Sequence, residues 1–254
     1  MKPSLWSRIS DEAAQAWAIL VKDMRVYYLQ PPMIMYGLVL PFFIFFSFSV
    51  KRNLGIQCSM ANLLALTTFF TASSAGPVIV PLERRERTYD RLMTAPMSLW
   101  TVLLGKTLVG ALFAIAASII PLIVGIVLLG AQINALPLVI VTVLLTTAAF
   151  SAFGLFFASF PAQSVGTIMM PSTLMRWPLL FISGVFIPLT DMDPWLRVIS
   201  YISPLTYGQD LLHHALDSKA VLPLGLDLGA MALGVVLFLV IAYLLHQRSR
   251  KLGY

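Results

Sequence analysis

Asp210, His213, His214 and Asp217 are the residues in this 254-residue chain whose types come nearest to a reaction centre or a metal site. On one helix the first three share a face and Asp217 extends it. Carboxylate oxygens and imidazole nitrogens are the donors of zinc and related sites, but this spacing matches no ligand motif. The residues are read as a polar helix face, and no catalytic, cofactor-binding or metal-ligating residue is assigned. An enzyme needs converging Asp, Glu, His or Cys side chains, and only this cluster offers them. The lone cysteine, Cys58, rules out an intrachain disulfide and cannot hold a metal alone. A GxxxxGKS/T phosphate loop is absent, so any ATP must be bound by another chain.

The densest charge lies elsewhere. Glu83, Arg84, Arg85, Glu86, Arg87, Thr88, Tyr89, Asp90 and Arg91 hold seven of the chain's 28 charges. Residues 53–82 before them carry no charge, and neither do residues 107–175 after them. Four arginines fit a loop that sets orientation by positive charge. The interspersed acids do not, because Asp and Glu contribute little to orientation. Glu83–Arg87 is a favourable i,i+4 helix pair, whereas Glu86–Asp90 and Arg87–Arg91 repel. A loop so poorly optimised for its own helix is read as a docking surface for an external partner.

The elements that must carry these residues are membrane helices. The chain is 59% hydrophobic and 11% charged, with a mean hydropathy of +0.87. Soluble domains carry roughly 25% charged residues. Apolar runs of this length, apolar on every face, suit helices and not a β-barrel. Six spans are expected, at 33–50, 59–82, 99–130, 136–160, 164–186 and 224–245. With both termini inside, eleven Lys and Arg fall on the inner side and four on the outer, which fits the positive-inside rule. The outer four include Lys51 and Arg52. The net charge of +6 therefore reflects orientation and not nucleic acid. The first 32 residues show no signal-peptide core. Residues 11–30 are read as an interfacial helix capped by Ser10, with Ala13, Trp17, Leu20, Val21, Met24 and Tyr28 as its apolar stripe. It serves either as a membrane anchor or as a contact for a cytoplasmic partner.

A straight helix over 99–130 reaches nearly 48 Å at about 1.5 Å per residue, against a hydrocarbon core of about 30 Å. It either projects into the cytoplasm or bends at Pro121. Residues 187–223 form an outer segment with two helix starts, Asp193-Pro194 and Ser203-Pro204. Neither helix is long enough to span, and together they form a hairpin dipping into the outer leaflet. Trp195, Leu196, Val198, Ile199 and Ile202 give the first helix an apolar face. Lys106 and Arg176 are counted as the charges within spans, and no carboxylate is counted there. Lys106 is expected to snorkel to the inner headgroups; Arg176 lines a pathway or sits at the interface. Gly105, Gly110, Gly125 and Gly154 permit close helix packing.

The run from Glu83 to Ser98, followed by Leu104-Gly105-Lys106, resembles the cytoplasmic loop of type-2 ABC exporter permeases. The segment Phe181-Ile182-Ser183-Gly184-Val185-Phe186-Ile187-Pro188, then Pro194-Trp195-Leu196 and Ser203-Pro204-Leu205-Thr206-Tyr207-Gly208, resembles their outer segment. Arg87 stands where glycine is common before Thr88. The daunorubicin-resistance-like permeases are the nearest group, and the resemblance runs from about residue 10 to 250. It implies a single permease domain over 1–254: an N-terminal segment over 1–32, a cytoplasmic coupling loop over 83–98 and an outer re-entrant segment over 187–223. It also implies that residues 83–91 dock on a separate ABC ATPase subunit. Two permease chains would work with two ATPase copies, which alone carry ATP and Mg. Arg176, Lys106, Ser183, Gly184, Pro188, Pro204 and Tyr207 become candidates for the pathway or an interface.

The resulting expectation is an all-α membrane protein with six transmembrane helices, in the inner membrane of a prokaryotic cell. It would be the permease of an ATP-driven exporter of a lipophilic drug-like molecule, a lipid or a lipid-linked glycan. The alternative is an ion-coupled secondary transporter, which normally needs intramembrane carboxylates or broken helices.

Overall fold

The computed structural model describes residues 5–27, 31–49, 55–89, 92, 97–128, 130–133, 135–160 and 164–251. They form helices connected by turns, with no strand among the described residues. Helix α1 is Leu5–Tyr27. Next, α2 (Pro31–Ile34), a π-helical turn (Met35–Val39) and α3 (Leu40–Ser49) follow without a break. Then come α4 (Ile56–Arg85), α5 (Leu99–Ile123, continued by a π turn over Val124–Leu128), α6 (Leu136–Ala158) and α7 (Val165–Ile182). Residues 187–223 hold α8 (Pro194–Ser200) and α9 (Pro204–Ala215), and α10 (Leu224–Lys251) ends the described chain.

Five of these helices, α4, α5, α6, α7 and α10, are long and apolar enough to cross a membrane. The expected first span is different. Its apolar helical stretch, Gly37–Phe48, is shorter than the other candidate spans. Pro41 explains the irregularity: its missing N–H leaves the Gly37 carbonyl without its usual i+4 donor, and the π turn precedes it. The Thr71 hydroxyl of α4 donates to that carbonyl instead.

Helix α4 is the axis of the fold. Its apolar stretch is wholly buried, and it packs against α3, α5, α6, α7 and α9. A polar run, Thr67, Thr68, Thr71, Ser73 and Ser74, lies along it with no exposed surface. Four of these hydroxyls donate to carbonyls one turn back, as in Thr67 to Leu63 at 2.8 Å and Thr68 to Leu64 at 2.9 Å, so they need no water. Close approach to α6 requires glycine. A Cβ on Gly154 would stand 2.4 Å from the Ser73 carbonyl oxygen. A Cβ on Gly110 would stand 2.2 Å from Ser151 Oγ, which itself donates to the Thr107 carbonyl at 2.8 Å. Gly105 meets Ile19 and Ala16 of α1, and Gly125 meets Met60. All four glycines thus serve contacts within this chain.

Helix α1 begins at Leu5, so Ser10 lies inside the helix and does not cap it. Its buried face is Ala16, Ile19, Leu20 and Asp23, against α5. Of the expected stripe, Leu20, Val21 and Met24 pack inward, but Trp17 is 62% exposed and Ala13 is exposed. The buried face is turned toward a carboxylate, which an apolar stripe does not reveal. Tyr28 lies outside the described residues, as do Lys51, Arg52, Asp90 and Arg91.

The third span runs as one helix through Pro121 and changes to π geometry at Val124. The two short outer helices start where the Asp-Pro and Ser-Pro pairs place them. Neither Asp193 nor Ser203 makes a side-chain cap bond. Ser203 Oγ instead donates to the Leu179 carbonyl at 3.2 Å, tying the hairpin to the end of α7. Trp195, Val198 and Ile199 of α8 and Ile202 just after it are exposed.

Candidate functional site

The charged loop is less free than its composition implies. Glu83 is fully buried in the last turn of α4. It does not pair with Arg87, because α4 ends at Arg85 and Arg87 has a φ of 55°, outside any right-handed helix. Glu83 pairs with Lys22 of α1, and with Lys106 of α5 at 2.5 Å. Asp23 completes the set, 2.9 Å from Lys22 and 3.1 Å from Lys106. Two carboxylates and two ammonium groups alternate in a closed quartet joining three helices. Lys106 is therefore buried in an ion cluster and does not snorkel. Burial alone pulls the Lys22 pKa down, but Glu83 and Asp23 outweigh it and hold it above its ordinary value.

The next residues are braced too. Arg84 Nη1 donates to the Phe160 carbonyl beyond α6 at 2.6 Å, and its guanidinium lies 5.2 Å from the Tyr89 ring centre. Tyr89 is buried, facing His246 of α10. Thr88 Oγ1 donates to the Glu83 carbonyl at 3.3 Å. Nearby, Trp100 stacks on Tyr243 with ring centres 4.4 Å apart. This leaves Arg85, Glu86 and Arg87 as the exposed charges of the described loop. The described residues of the nine proposed for docking thus include an inward base, Glu83, Arg84 and Tyr89, and an outward tip, Arg85, Glu86 and Arg87.

Arg176 is also fully buried, in the middle of α7. Pro77 has no N–H, so the Ser73 carbonyl one turn before it lacks an intrahelical donor. Arg176 Nη2 donates to that oxygen at 2.6 Å and to Ser172 Oγ at 2.7 Å. Its Nη1 donates to Ser74 Oγ at 3.0 Å. The arginine serves as a bolt between α7 and the proline break in α4.

At the opposite end, a cavity of about 140 Å³ is lined by Cys58, Asn62, Gln209, Asp210, His213 and Lys219, among others. Gln209 Nε2 donates to Asn62 Oδ1 at 3.0 Å, and Asn62 Nδ2 donates to the Val185 carbonyl at 3.3 Å. His213 lies between Gln209 and Ser218, whose Oγ is 2.5 Å from its Nδ1. Burial lowers the His213 pKa to about 4, so the ring is neutral at pH 7. Ser183 Oγ donates to the Leu180 carbonyl at 2.7 Å, and Gly184 turns the chain with a φ of 100°. Pro188 precedes a single 3-10 turn, Leu189–Asp191. Pro204 starts α9, and the Tyr207 hydroxyl donates to the Tyr201 carbonyl at 2.9 Å. These five motif residues shape the outer segment. Ser183, Gly184 and Pro188 line the cavity wall; Pro204 and Tyr207 do not.

The expected polar face of α9 gains a member and loses one. Asp217 is exposed at a left-handed position past the helix. Asp227, in the first turn of α10, joins Asp210 and His214 in its place. Asp227 falls inside the expected last span, and the count of charges within spans omits it. Asp23 is the other residue missed. The signal for it was an acid on the protein-facing side of α1, next to Lys22.

The ABC-2 type transporter family profile matches residues 14–216, from α1 through the outer hairpin. The chain belongs to the ABC-2 type transporter family. Members of this family are membrane subunits of ABC transporters, so the chain is a multi-pass membrane transport subunit, and the ion-coupled alternative is set aside. It is 28% identical over 195 residues to nodulation protein J of Neorhizobium galegae, covering 74% of this chain and 73% of that one. It is 25% identical over 167 residues to the inner membrane transport permease YadH of Escherichia coli K12, covering 66% and 65%. It is 25% identical over 153 residues to a protein named "Probable multidrug ABC transporter permease YbhR" of the same strain, covering 59% and 41%. The match thus spans less than two thirds of YadH and less than half of YbhR.

Proposed function

We propose that this ABC-2 chain is the permease subunit of an ATP-driven exporter and is moved by a separate ATPase gripping the tip at Arg85, Glu86 and Arg87. The observation that carries the reading is the ion quartet at the base of that tip. A force on the loop passes through Glu83 into α1, α4 and α5 together, because Lys22 and Lys106 bind all three helices at one point. A partner shifts a two-state protein only through contacts that differ between the states, and a rigid handle conveys such contacts to the bundle. Two permease chains with two ATPase copies make the working unit, with ATP and Mg on the ATPase. Both termini and the loop face the cytoplasm, and residues 187–223 close the pathway on the outer side. The cargo is a lipophilic drug-like molecule, a lipid or a lipid-linked glycan; the name of YbhR, a probable multidrug ABC transporter permease, supports the first of these.

The test is co-purification. A tagged chain in mild detergent is expected to bring down an ATPase polypeptide. The double reversal Arg85→Glu, Arg87→Glu is expected to lose it while inserting normally. Capture of no ATPase by the native chain, or equal capture by the reversed one, overturns the reading.

A further inference from the structure

The outer end holds an ionic group that the transport reading does not use. Asp227 is completely buried, and neither of its carboxylate oxygens has a hydrogen-bond partner. A buried carboxylate without compensation costs several kcal/mol. Beside it stands a second buried carboxylate, Asp210. Asp210 Oδ1 accepts from the Val221 N–H at 2.9 Å, and Oδ2 accepts from Val221 N–H at 3.1 Å and Leu222 N–H at 2.7 Å. These bonds fix its position, occupy both lone pairs of Oδ2 and leave one free on Oδ1. The third member is His214, whose Nε2 lies 3.7 Å from Asp227 Oδ2 and 2.7 Å from the Leu222 carbonyl oxygen. One donor atom from each of the three side chains lies within 4.8 Å of the others.

We propose that Asp210, His214 and Asp227 form a divalent transition-metal site, of the zinc class, stapling the re-entrant helix α9 to the start of α10. The charge decides for a cation: two carboxylates facing each other are neutralised by one divalent ion. The donor set decides the class. Imidazole favours zinc and its neighbours over magnesium or calcium, and zinc takes nitrogen and carboxylate oxygen at about 2.0–2.2 Å. The Leu222 carbonyl or a water completes four-coordination. In the metal-free arrangement His214 Nε2 faces that carbonyl as a donor. Binding moves the ring proton to Nδ1, so the imidazole stays neutral and Nε2 offers its lone pair. His214 is the partly exposed member, with 26% of its side chain accessible, and it provides the entry. The staple would hold the outer hairpin against the last span.

The experiment uses the full chain, purified in detergent and stripped with a chelator, then titrated with Zn²⁺ and, separately, Mg²⁺. One tightly bound Zn²⁺ per chain is expected, with no comparable Mg²⁺ binding. Asp227→Asn and His214→Gln should each weaken Zn²⁺ binding by about 100-fold or more. Asp217→Asn, outside the cluster at a position that tolerates asparagine, should leave it unchanged. Elution on size exclusion verifies folding; should Asp227→Asn fail to fold, His214→Gln decides alone. No stoichiometric zinc in the native chain overturns the proposal, as does zinc retained by the folded variants. Neither result bears on ATPase capture, so the two readings fail separately.

Discussion

The two ends of this bundle face one physical problem and answer it differently. Each buries charged side chains between helices. At the loop end, Asp23 and Glu83 alternate with Lys22 and Lys106, so the chain supplies both signs itself. At the hairpin end, two carboxylates, Asp210 and Asp227, stand beside one imidazole, His214, and Asp227 accepts no hydrogen bond from the described residues. A self-neutralised cluster is a finished joint, ready to pass force. A cluster with excess negative charge is an unfinished one, whose strength depends on what enters it.

Removing one carboxylate from each end should therefore have opposite consequences, and this is the largest effect expected. Glu83→Gln leaves Lys106 buried with a single carboxylate. Breaking a buried ion pair from one side costs about 3–5 kcal/mol. Asp227→Asn, in metal-free protein, removes a like-charge encounter and should leave stability unchanged or higher. Thermal unfolding in one detergent compares them directly. The double change Glu83→Leu, Lys106→Met replaces one pair with apolar volume and should regain most of the loss. If Glu83→Gln unfolds no earlier than Asp227→Asn, the two ends are not different in kind.

Much of this was legible from residue order, and the misses share a cause. Long apolar runs mark α4, α5, α6 and α7 at close to their observed limits, and proline after Asp193 and Ser203 marks both short helices between α7 and α10. What pattern cannot show is which distant partner a charge meets. Glu83 reads as a helix neighbour of Arg87, since spacing is local; its partners lie 61 residues before it and 23 after it. Lys106 reads as snorkelling for the same reason. The irregularity of the first expected span is a matter of proline chemistry: Pro41 was visible, but the Thr71 hydroxyl that accommodates it was not. Asp227 was in plain sight, three residues into an apolar run, yet no carboxylate was counted within the spans.

Acid should separate the two ends again, more weakly. His213 sits in the network at the hairpin end with its pKa lowered to about 4 by burial, against an ordinary value of 6.5. The unfolded chain therefore binds the extra proton between these values. Stability from this group is complete above about pH 6.5 and falls as pH drops toward 4, by at most about 1.4 kcal/mol per pH unit. His213→Gln should flatten that slope. The groups around His213 that enter the balance are Asp210, which favours its protonation, and His214, which opposes it. The quartet at the loop end contributes no slope from Lys22 in this range, because that lysine is held charged well past neutrality. Unfolding temperatures from pH 7 to 4.5 for native chain and variant measure the difference; identical slopes would place the acid sensitivity elsewhere.

Between the ends lies a third device, and it yields the smallest effect but the sharpest attribution. Arg176 donates to the Ser73 carbonyl, which Pro77 has deprived of its helical donor. If the arginine is there to answer the proline, the two residues must be energetically coupled. Pro77→Ala restores an N–H to the ladder, and the Ser73 oxygen then has a donor of its own. Arg176→Met should destabilise the native chain, and should destabilise the Pro77→Ala background by about 1 kcal/mol less, the worth of one hydrogen bond to an otherwise stranded buried carbonyl. The other bonds of Arg176, to Ser74 and Ser172, are present in both backgrounds and cancel in the cycle. A coupling of zero would mean that the arginine holds α7 through the serine hydroxyls alone, and that the break in α4 is tolerated without it.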